Sequence, residues 1–298
     1  MKRVIIDHFG GPEVVCVVEE SDPRPGPGEV RIRVLASGVS LSDAQMRAGT
    51  YLGGPKPPFT PGYELVGVIA ELGPDCSRSQ VGDRVGALTQ WGANAESVCV
   101  PEQYAVPVPE DIDPGEVLSL VFIYMTAYQM LHRAAKAERG ETVLVHGAAG
   151  RVGTAVLELA AAAGLHVYGT ASADDRAAVE RLGAVAIDYQ HEDFLARVRE
   201  LTGDGVDIAL DPFGGSMALR SFRALRPGGR LVIYGRRTPS CAGIRIGPEY
   251  SSGTGEPHSS RSGDFSRPGG ACSPTESRKC ASPTRIGTGR TSARYCSC

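Results

Sequence analysis

The 298-residue chain carries a formal net charge of -3, from 31 lysines and arginines against 34 aspartates and glutamates. This balance argues against a nucleic-acid partner or an anionic membrane surface, because each of these selects for a strongly basic face. No apolar run approaches the roughly 18 residues of a membrane span, and Asp7 and Gly10 interrupt the N-terminus too early for a signal peptide. We expect a cytoplasmic protein with no transmembrane segment and with room for two domains.

The N-terminal part of the chain is rich in strand signals. Val30, Ile32 and Val34 alternate with arginines, which is typical of a strand with one buried face. Further short strands are indicated by apolar segments at 65–72, 81–88 and 97–100. The sequence therefore predicts a β-rich domain over residues 1–112, with little helix.

From residue 113 the sequence alternates between strand and helix patterns. Helical spacing occurs first at 115–120 and 126–138. The predicted strands lie at 142–146, 166–171, 185–189, 206–211 and 230–235. The predicted helices between them lie at 152–163, 174–182, 193–202 and 215–226, with Pro227-Gly228-Gly229 stopping the last one. This alternation predicts an α/β fold with a doubly wound parallel sheet over residues 113–237.

A glycine-rich turn joins the first of these strands to an alanine-rich helix. Residues 147–153 (GAAGRVG) would bring a dinucleotide's pyrophosphate onto the helix N-terminus. Gly150 would let the backbone approach the phosphates, and Gly153 would let the helix pack closely on the strand. Ala148 stands where the first glycine of G-x-G-x-x-G belongs, so a plain strand–helix turn is the alternative interpretation.

The tip of the next strand bears on the choice of cofactor. Ala171 stands where an NAD-binding protein would carry an acidic residue for the ribose 2′-hydroxyl. Ser172 and Arg176 can instead donate hydrogen bonds to a 2′-phosphate, which favours NADPH. Asp174 and Asp175 count against this choice, and an ordinary solvated helix residue is the alternative reading of Arg176.

A series of motifs, each modest alone, resembles a known family. They are, in order, residues 36–49 (ASGVSLSDAQMRAG), 61–64 (PGYE), 82–85 (GDRV), 126–128 (TAY), 147–153 and 205–215 (GVDIALDPFGG). The series resembles the medium-chain dehydrogenase/reductase superfamily, specifically its zinc-free quinone oxidoreductase branch. Within that branch, the amino-acid sequence at 169–173 and 206–216 is most similar to the subgroup of synaptic vesicle membrane protein VAT-1 homologues. The resemblance covers about residues 1–236.

The resemblance implies a GroES-like N-terminal domain and a Rossmann domain, with the active site between them. It implies NADPH-dependent reduction of a small-molecule quinone or activated enone, usually by a homo-oligomer, although dimer elements could be missing here. The positions that match or adjoin the family's cofactor contacts are Thr126, Ala148, Gly150, Arg151, Val152, Gly153, Ser172, Arg176 and Tyr189.

The family comparison also implies chemistry without a metal. Ser40 and Tyr63 stand where zinc-dependent relatives place cysteine and histidine, so we expect no metal site. Hydroxyl donors must then polarise the acceptor oxygen, and the catalytic candidates are Tyr51, Ser40 and Tyr63. A packing aromatic is the alternative reading of Tyr63, and Asp43 is expected to be structural.

The composition changes abruptly near the end of the chain. Residues 239–298 contain no Leu, Val or Met, and Ser, Gly, Arg, Pro and Thr supply 39 of these 60 residues. Such a segment cannot bury enough apolar surface to offset its ordering. We therefore expect a disordered tail at 238–298, produced by translation in another frame, and a Rossmann sheet that is incomplete at its C-terminal edge. A genuine disordered extension is the alternative.

Two other functions are compatible with the same residues. The chain could bind NADPH without efficient catalysis, in a role like that of the VAT-1 relatives. It could also be an inactive, truncated or frameshifted member of the family. Turnover with a panel of quinones separates the first of these from a reductase.

Overall fold

The computed structural model describes residues 1–235. The predicted tail at 238–298 and the predicted domain end at residue 237 lie outside the described residues. The described part contains an antiparallel sheet and a parallel sheet, each of five strands, and a separate two-stranded hairpin.

The N-terminal part is β-rich, as the alternating pattern predicted. Its elements are β1 (Lys2–Ile6), β2 (Val15–Glu19), β3 (Glu29–Ser37), α1 (Leu41–Arg47), β4 (Glu64–Leu72), β5 (Arg84–Leu88), β6 (Ser97–Pro101) and β7 (Val106–Pro107). The antiparallel sheet has the order β6-β3-β4-β5-β7, and β1 pairs with β2. Val30 and Ile32 of β3 are buried while Arg33 is exposed, so the predicted inward face of this strand is confirmed.

A long helical segment connects the two sheets. It comprises α2 (Pro114–Ser119), a π-helical stretch (Leu120–Tyr124), α3 (Met125–Tyr128) and a second π-helical stretch (Gln129–Ala134). The Asp113 carboxylate caps its start by accepting a hydrogen bond from the Gly115 N–H at 2.8 Å. The two helices predicted at 115–120 and 126–138 are therefore one helical segment, which ends four residues earlier than predicted.

The remaining elements form the predicted doubly wound α/β fold. They are β8 (Thr142–His146), α4 (Arg151–Ala163), β9 (His166–Ala171), α5 (Arg176–Arg181), β10 (Val185–Asp188), α6 (Phe194–Thr202), β11 (Val206–Asp211), α7 (Gly215–Arg223) and β12 (Leu225–Ile233). The parallel strands are ordered β10-β9-β8-β11-β12. The strand order reverses between β8 and β11, and ligands of such sheets bind beyond the carboxyl ends of the strands at this point.

Two predicted boundaries near residue 225 are wrong. The last helix ends at Arg223 rather than near residue 226, and β12 begins at Leu225 rather than near residue 230. The Pro227-Gly228-Gly229 sequence does not stop the helix but lies in an irregular part of β12, between the residues that pair with Val206 and Ile208. A bulge accommodates proline and glycine because it needs no regular ladder hydrogen bond.

The central strand β8 is buried on both faces. Val143 and Val145 pack into a cluster with α4, while Leu144 packs on the opposite face against residues of α6 such as Phe194 and Val198. This explains why the strand reads as an unbroken apolar run rather than an alternating one.

Leu144→Ala should lower the free energy of unfolding by about 2–5 kcal/mol, because it leaves a cavity under α6. Leu144 is fully buried, whereas Val185 at the edge of the same sheet is 44% exposed. Val185→Ala is therefore the matched control and should cost about 1 kcal/mol or less. Urea unfolding followed by circular dichroism measures both, and equal losses would contradict the assignment of β8 as the core strand.

Candidate cofactor and active site

The loop between β8 and α4 lies at the sheet's topological switch point. Gly147 has a φ of +65°, and its carbonyl accepts a hydrogen bond from the Gly150 N–H at 2.9 Å. Gly150 is the N-cap of α4, which runs for 13 residues from Arg151. The first N–H groups of a helix have no partner within it, so this end of α4 presents donors and a positive dipole end.

Gly153 and Ala148 determine how closely this loop and helix pack. A Cβ at Gly153 would lie 2.3 Å from the Gly147 carbonyl oxygen and 2.6 Å from that of Ala148. The side chain of Ala148 is buried against Gly169 of β9. Ala148 is fully buried and its N–H donates to the Thr170 carbonyl oxygen at 2.9 Å, whereas Gly150, Arg151 and the half-buried Val152 are near the surface.

The residues predicted to hold a 2′-phosphate gather at one edge of the sheet. Ala171 of β9 pairs with Asp188 of β10, so Ser172 and Tyr189, which follow these strands, are neighbours. The Ser172 hydroxyl donates to Asp175 at 2.7 Å, and the Arg176 guanidinium pairs with Glu180 at 2.8 Å. A 2′-phosphate would therefore compete with two carboxylates of this chain.

Tyr51 and Tyr63 form a hydrogen-bonded pair. Their hydroxyl oxygens are 3.0 Å apart. The Tyr63 ring stacks on Phe122 of the helical segment with a centroid distance of 4.4 Å, and Phe122 packs against the core of the parallel sheet. Burial, followed by the hydrogen bond with Tyr51, raises the pKa of the Tyr63 hydroxyl well above its usual range. Tyr63 is therefore a packing aromatic at the junction of the two sheets, and its hydroxyl retains its proton.

Ser40 has a local structural role. It is the N-cap of α1, and its hydroxyl donates to the Asp43 carboxylate at 2.7 Å. Asp43 is buried and also accepts hydrogen bonds from the N–H groups of Ser40 and Gly62. Asp43 is therefore structural, as expected, and the hydroxyl proton of Ser40 is directed towards it. This geometry favours a capping role for Ser40 over the catalytic role that the sequence suggested.

Thr126 lies on α3, between the two π-helical stretches. Its hydroxyl donates to the Phe122 carbonyl oxygen at 2.6 Å, one turn earlier. The sequence predicted Thr126 as a cofactor contact on a regular helix and gave no sign of the π-helical turns. Such turns frequently occur at functional sites.

Glu64 is a buried acid that sequence reasoning mentioned only as part of a motif. Its side chain is 1% exposed, and its Oε2 atom has no hydrogen-bond partner. Burial, and then the negative charge of Asp43, raise the pKa of the Glu64 carboxyl to about 7, while the positive charge of Arg151 opposes this rise. A carboxylate of β4 thus faces the charge of the first residue of α4. An acid directly before an apolar strand is the signal that could have drawn attention to it.

Between residues 1 and 235, no three histidine, cysteine, aspartate or glutamate side chains are grouped so that they could hold a metal ion. In the same part of the chain, every helix is too short or too polar to cross a membrane.

Comparison with known proteins identifies the family. Residues 26–110 match the alcohol dehydrogenase GroES-like domain, and residues 152–248 match the family described as zinc-binding dehydrogenase. A 2-haloacrylate reductase from a Burkholderia species is 36% identical over 252 residues, which cover 81% of this chain and 75% of that protein. The chain belongs to the medium-chain dehydrogenase/reductase superfamily. The resemblance inferred from the motifs is thus confirmed.

Within this superfamily the chain lies in the quinone oxidoreductase branch. The structure of Escherichia coli quinone oxidoreductase complexed with NADPH matches with a TM-score of 0.78 and 27% identity, covering 83% of this chain and 76% of that one. The human synaptic vesicle membrane protein VAT-1 homolog is 35% identical over 239 residues, which cover 79% of this chain. The chain spans only 61% of the length of that relative.

Glu64→Gln should change how stability depends on pH. The pKa of Glu64 in the folded protein, about 7, lies above its ordinary value of 4.5, so the folded state holds a proton that the unfolded state has lost. Wild-type stability should therefore fall as the pH rises from 4.5 to 7, by up to about 1.4 kcal/mol per pH unit. Glutamine does not titrate, so the stability of Glu64→Gln should not fall with pH for this reason.

Urea unfolding at several pH values between 4.5 and 8 measures the effect. The stability of Glu64→Gln relative to wild type should increase over this range by about 2–3 kcal/mol. Glu116 is exposed, so Glu116→Gln is the control and should run parallel to wild type. A constant difference between Glu64→Gln and wild type would mean that the carboxyl titrates normally.

Proposed function

We propose that this chain is an NADPH-dependent oxidoreductase that transfers a hydride to a quinone or activated enone without a metal ion. The observation that carries the proposal is the close packing of α4 on the 147–153 loop. It leaves no room for a Cβ at Gly153 and presents the helix N-terminus at the switch point of the sheet. A loop of this kind binds the pyrophosphate of a dinucleotide.

The residues that follow β9, which would bind the adenosine ribose of the cofactor, favour a 2′-phosphate. Ala171 at the tip of β9 offers no carboxylate to a ribose hydroxyl, whereas the Ser172 hydroxyl and the Arg176 guanidinium lie just beyond it. Tyr189 follows the neighbouring strand and is 56% exposed, so its ring is available to the adenosine end. The relative whose structure contains NADPH supports this choice.

The reduction requires a hydride and a proton, and it requires stabilisation of charge on the acceptor oxygen. A bound reduced nicotinamide supplies the hydride. The Tyr51–Tyr63 pair can donate a hydrogen bond to the acceptor oxygen, because tyrosine hydroxyls are protonated at neutral pH and burial raises the pKa of Tyr63 further. The proton that completes the reduction comes from solvent. A preorganised donor contributes roughly 3–4 kcal/mol to such a step. A quinone or an activated enone is already electron-poor, so this polarisation suffices without a metal.

The proposal that no zinc is involved rests on the residues at two positions. Ser40 caps α1 through Asp43, and Tyr63 is stacked on Phe122. Neither offers the thiolate or imidazole that binds zinc in catalytic sites. A cytoplasmic location remains a prediction from the sequence.

A second candidate function is cofactor binding without efficient catalysis. It is favoured by the 35% identity to a relative that is named as a synaptic vesicle membrane protein and not as a reductase. The carboxylates that pair with Ser172 and Arg176 would weaken cofactor binding in either case. The extreme case of this alternative is a member of the family with no activity at all.

Fluorescence titration of the 298-residue chain with NADPH and with NADH tests the cofactor assignment. NADPH should bind at least about tenfold more tightly, since charge-assisted hydrogen bonds to the 2′-phosphate are worth about 1.5–3 kcal/mol. Arg176→Gln should remove most of this preference and leave NADH binding unchanged. Arg181 lies on the exposed side of the same helix, and Arg181→Gln is the control. Binding of neither nucleotide would refute the proposal.

Tyr63→Phe should lower kcat for quinone reduction by about 10–100-fold, because it removes a donor near the acceptor oxygen. The affinity for NADPH should be unchanged. Tyr104→Phe, at a tyrosine that is 51% exposed, controls for nonspecific effects. An unaltered kcat in Tyr63→Phe would make the tyrosine a packing residue, and absence of wild-type turnover with NADPH bound would favour the second candidate function.

A further inference from the structure

A buried histidine lies directly before the phosphate-binding loop. His146 is the last residue of β8 and is 2% exposed. Its Nδ1 atom is 3.2 Å from the hydroxyl of Thr170 on β9, and its Nε2 atom is 3.0 Å from the hydroxyl of Ser221 on α7. Both hydroxyl residues are also buried. One imidazole therefore joins three elements that are far apart in the sequence.

The hydrogen-bond partners determine which ring nitrogen carries the proton. The Ser221 hydroxyl shares its one proton between the carbonyl oxygen of Met217 at 2.9 Å and the Asp211 carboxylate at 3.4 Å, both of which only accept. Ser221 must therefore accept a hydrogen bond from Nε2–H of His146. The Thr170 hydroxyl accepts from the Gly147 N–H at 3.2 Å, so its own proton is directed to Nδ1.

The charge state of the ring agrees with this arrangement. Burial lowers the pKa of His146 to about 4, with the negative charge of Asp211 opposing the shift and the positive charge of Arg220 adding to it. The ring packs edge-on against Phe194 at 4.7 Å, which contributes to its desolvation. His146 is thus a neutral donor and acceptor at physiological pH.

The other end of the hydrogen-bonded chain fixes a second loop. The Asp211 carboxylate, at the end of β11, accepts hydrogen bonds from the N–H groups of Phe213 at 2.6 Å and Gly214 at 3.1 Å. Since β8 and β11 are parallel neighbours, this loop and the phosphate-binding loop leave the same edge of the sheet. Both loops therefore border the crevice in which ligands of such sheets bind.

We propose that neutral His146 is a positioning residue that holds the 147–153 loop and the 212–214 loop in one relative arrangement. It does so through the hydrogen-bonded chain from Gly147 and Thr170 to Ser221 and Asp211. The consequence for the cofactor rests on the proposed function. If the two loops bind opposite parts of one dinucleotide, loss of any member of the chain weakens its binding, although none of the buried side chains touches it.

Amide hydrogen exchange tests the coupling without any ligand. In Ser221→Ala the Gly147 amide should exchange at least about tenfold faster, although Gly147 does not contact Ser221. In His146→Phe, which keeps the ring volume but removes both hydrogen bonds, the Phe213 and Gly214 amides should also exchange faster. Ser216→Ala, on the exposed side of α7, is the control. Changes confined to the neighbours of the substituted residue would overturn the proposal.

Cofactor affinity gives a second measurement. NADPH titration should show at least tenfold weaker binding in His146→Phe and Ser221→Ala. Partial recovery is expected in His146→Gln, since glutamine both donates and accepts. If wild type binds no NADPH, the proposed function fails while the exchange measurement still decides the coupling. Unchanged NADPH affinity in folded His146→Phe would show that His146 only packs in the core and does not position the loops.

Discussion

The structure depends on how closely the N-terminus of α4 approaches the carbonyl groups of the loop before it. A methyl group at Gly153 would lie 2.3 Å from the Gly147 oxygen, so only glycine permits this contact. The contact places the positive end of a 13-residue helix at the point where the sheet reverses its strand order. The shape of the loop that the sequence predicts to bind a pyrophosphate follows from this contact.

The junction between the two sheets combines packing with unusual protonation. Tyr63 connects the antiparallel sheet to the helical segment by stacking on Phe122 and also bonds to Tyr51. The neighbouring Glu64 is buried with one oxygen unpaired. Burial acts in the same direction on both groups, because it disfavours their charged forms and retains their protons. The proposed reduction without a metal would use proton-bearing groups of this kind.

Local patterns predicted much of the fold. The apolar run of β8, the glycine turn and α4 are contiguous, and the buried face of β3 follows from its alternation. The end of α7 was misplaced because Pro227-Gly228-Gly229 indicates a break but not which element contains it. The π-helical turns around Thr126 were missed because a helical period of 3.6 residues does not reveal an inserted residue. Ser40 was assigned by its position in a motif, whereas its contact with Asp43 gives it a capping role.

The sequence by itself determined the family, the α/β architecture and the position of the glycine-rich turn between β8 and α4, since these follow from short-range periodicity and ordered motifs. Only the tertiary structure decided which polar groups are buried and paired. The contact of His146 with Ser221 joins residues 75 positions apart, and Tyr63 stacks on Phe122 of the helical segment. Hydrogen bonds and desolvation depend on distances in space, and a single sequence carries no direct record of them.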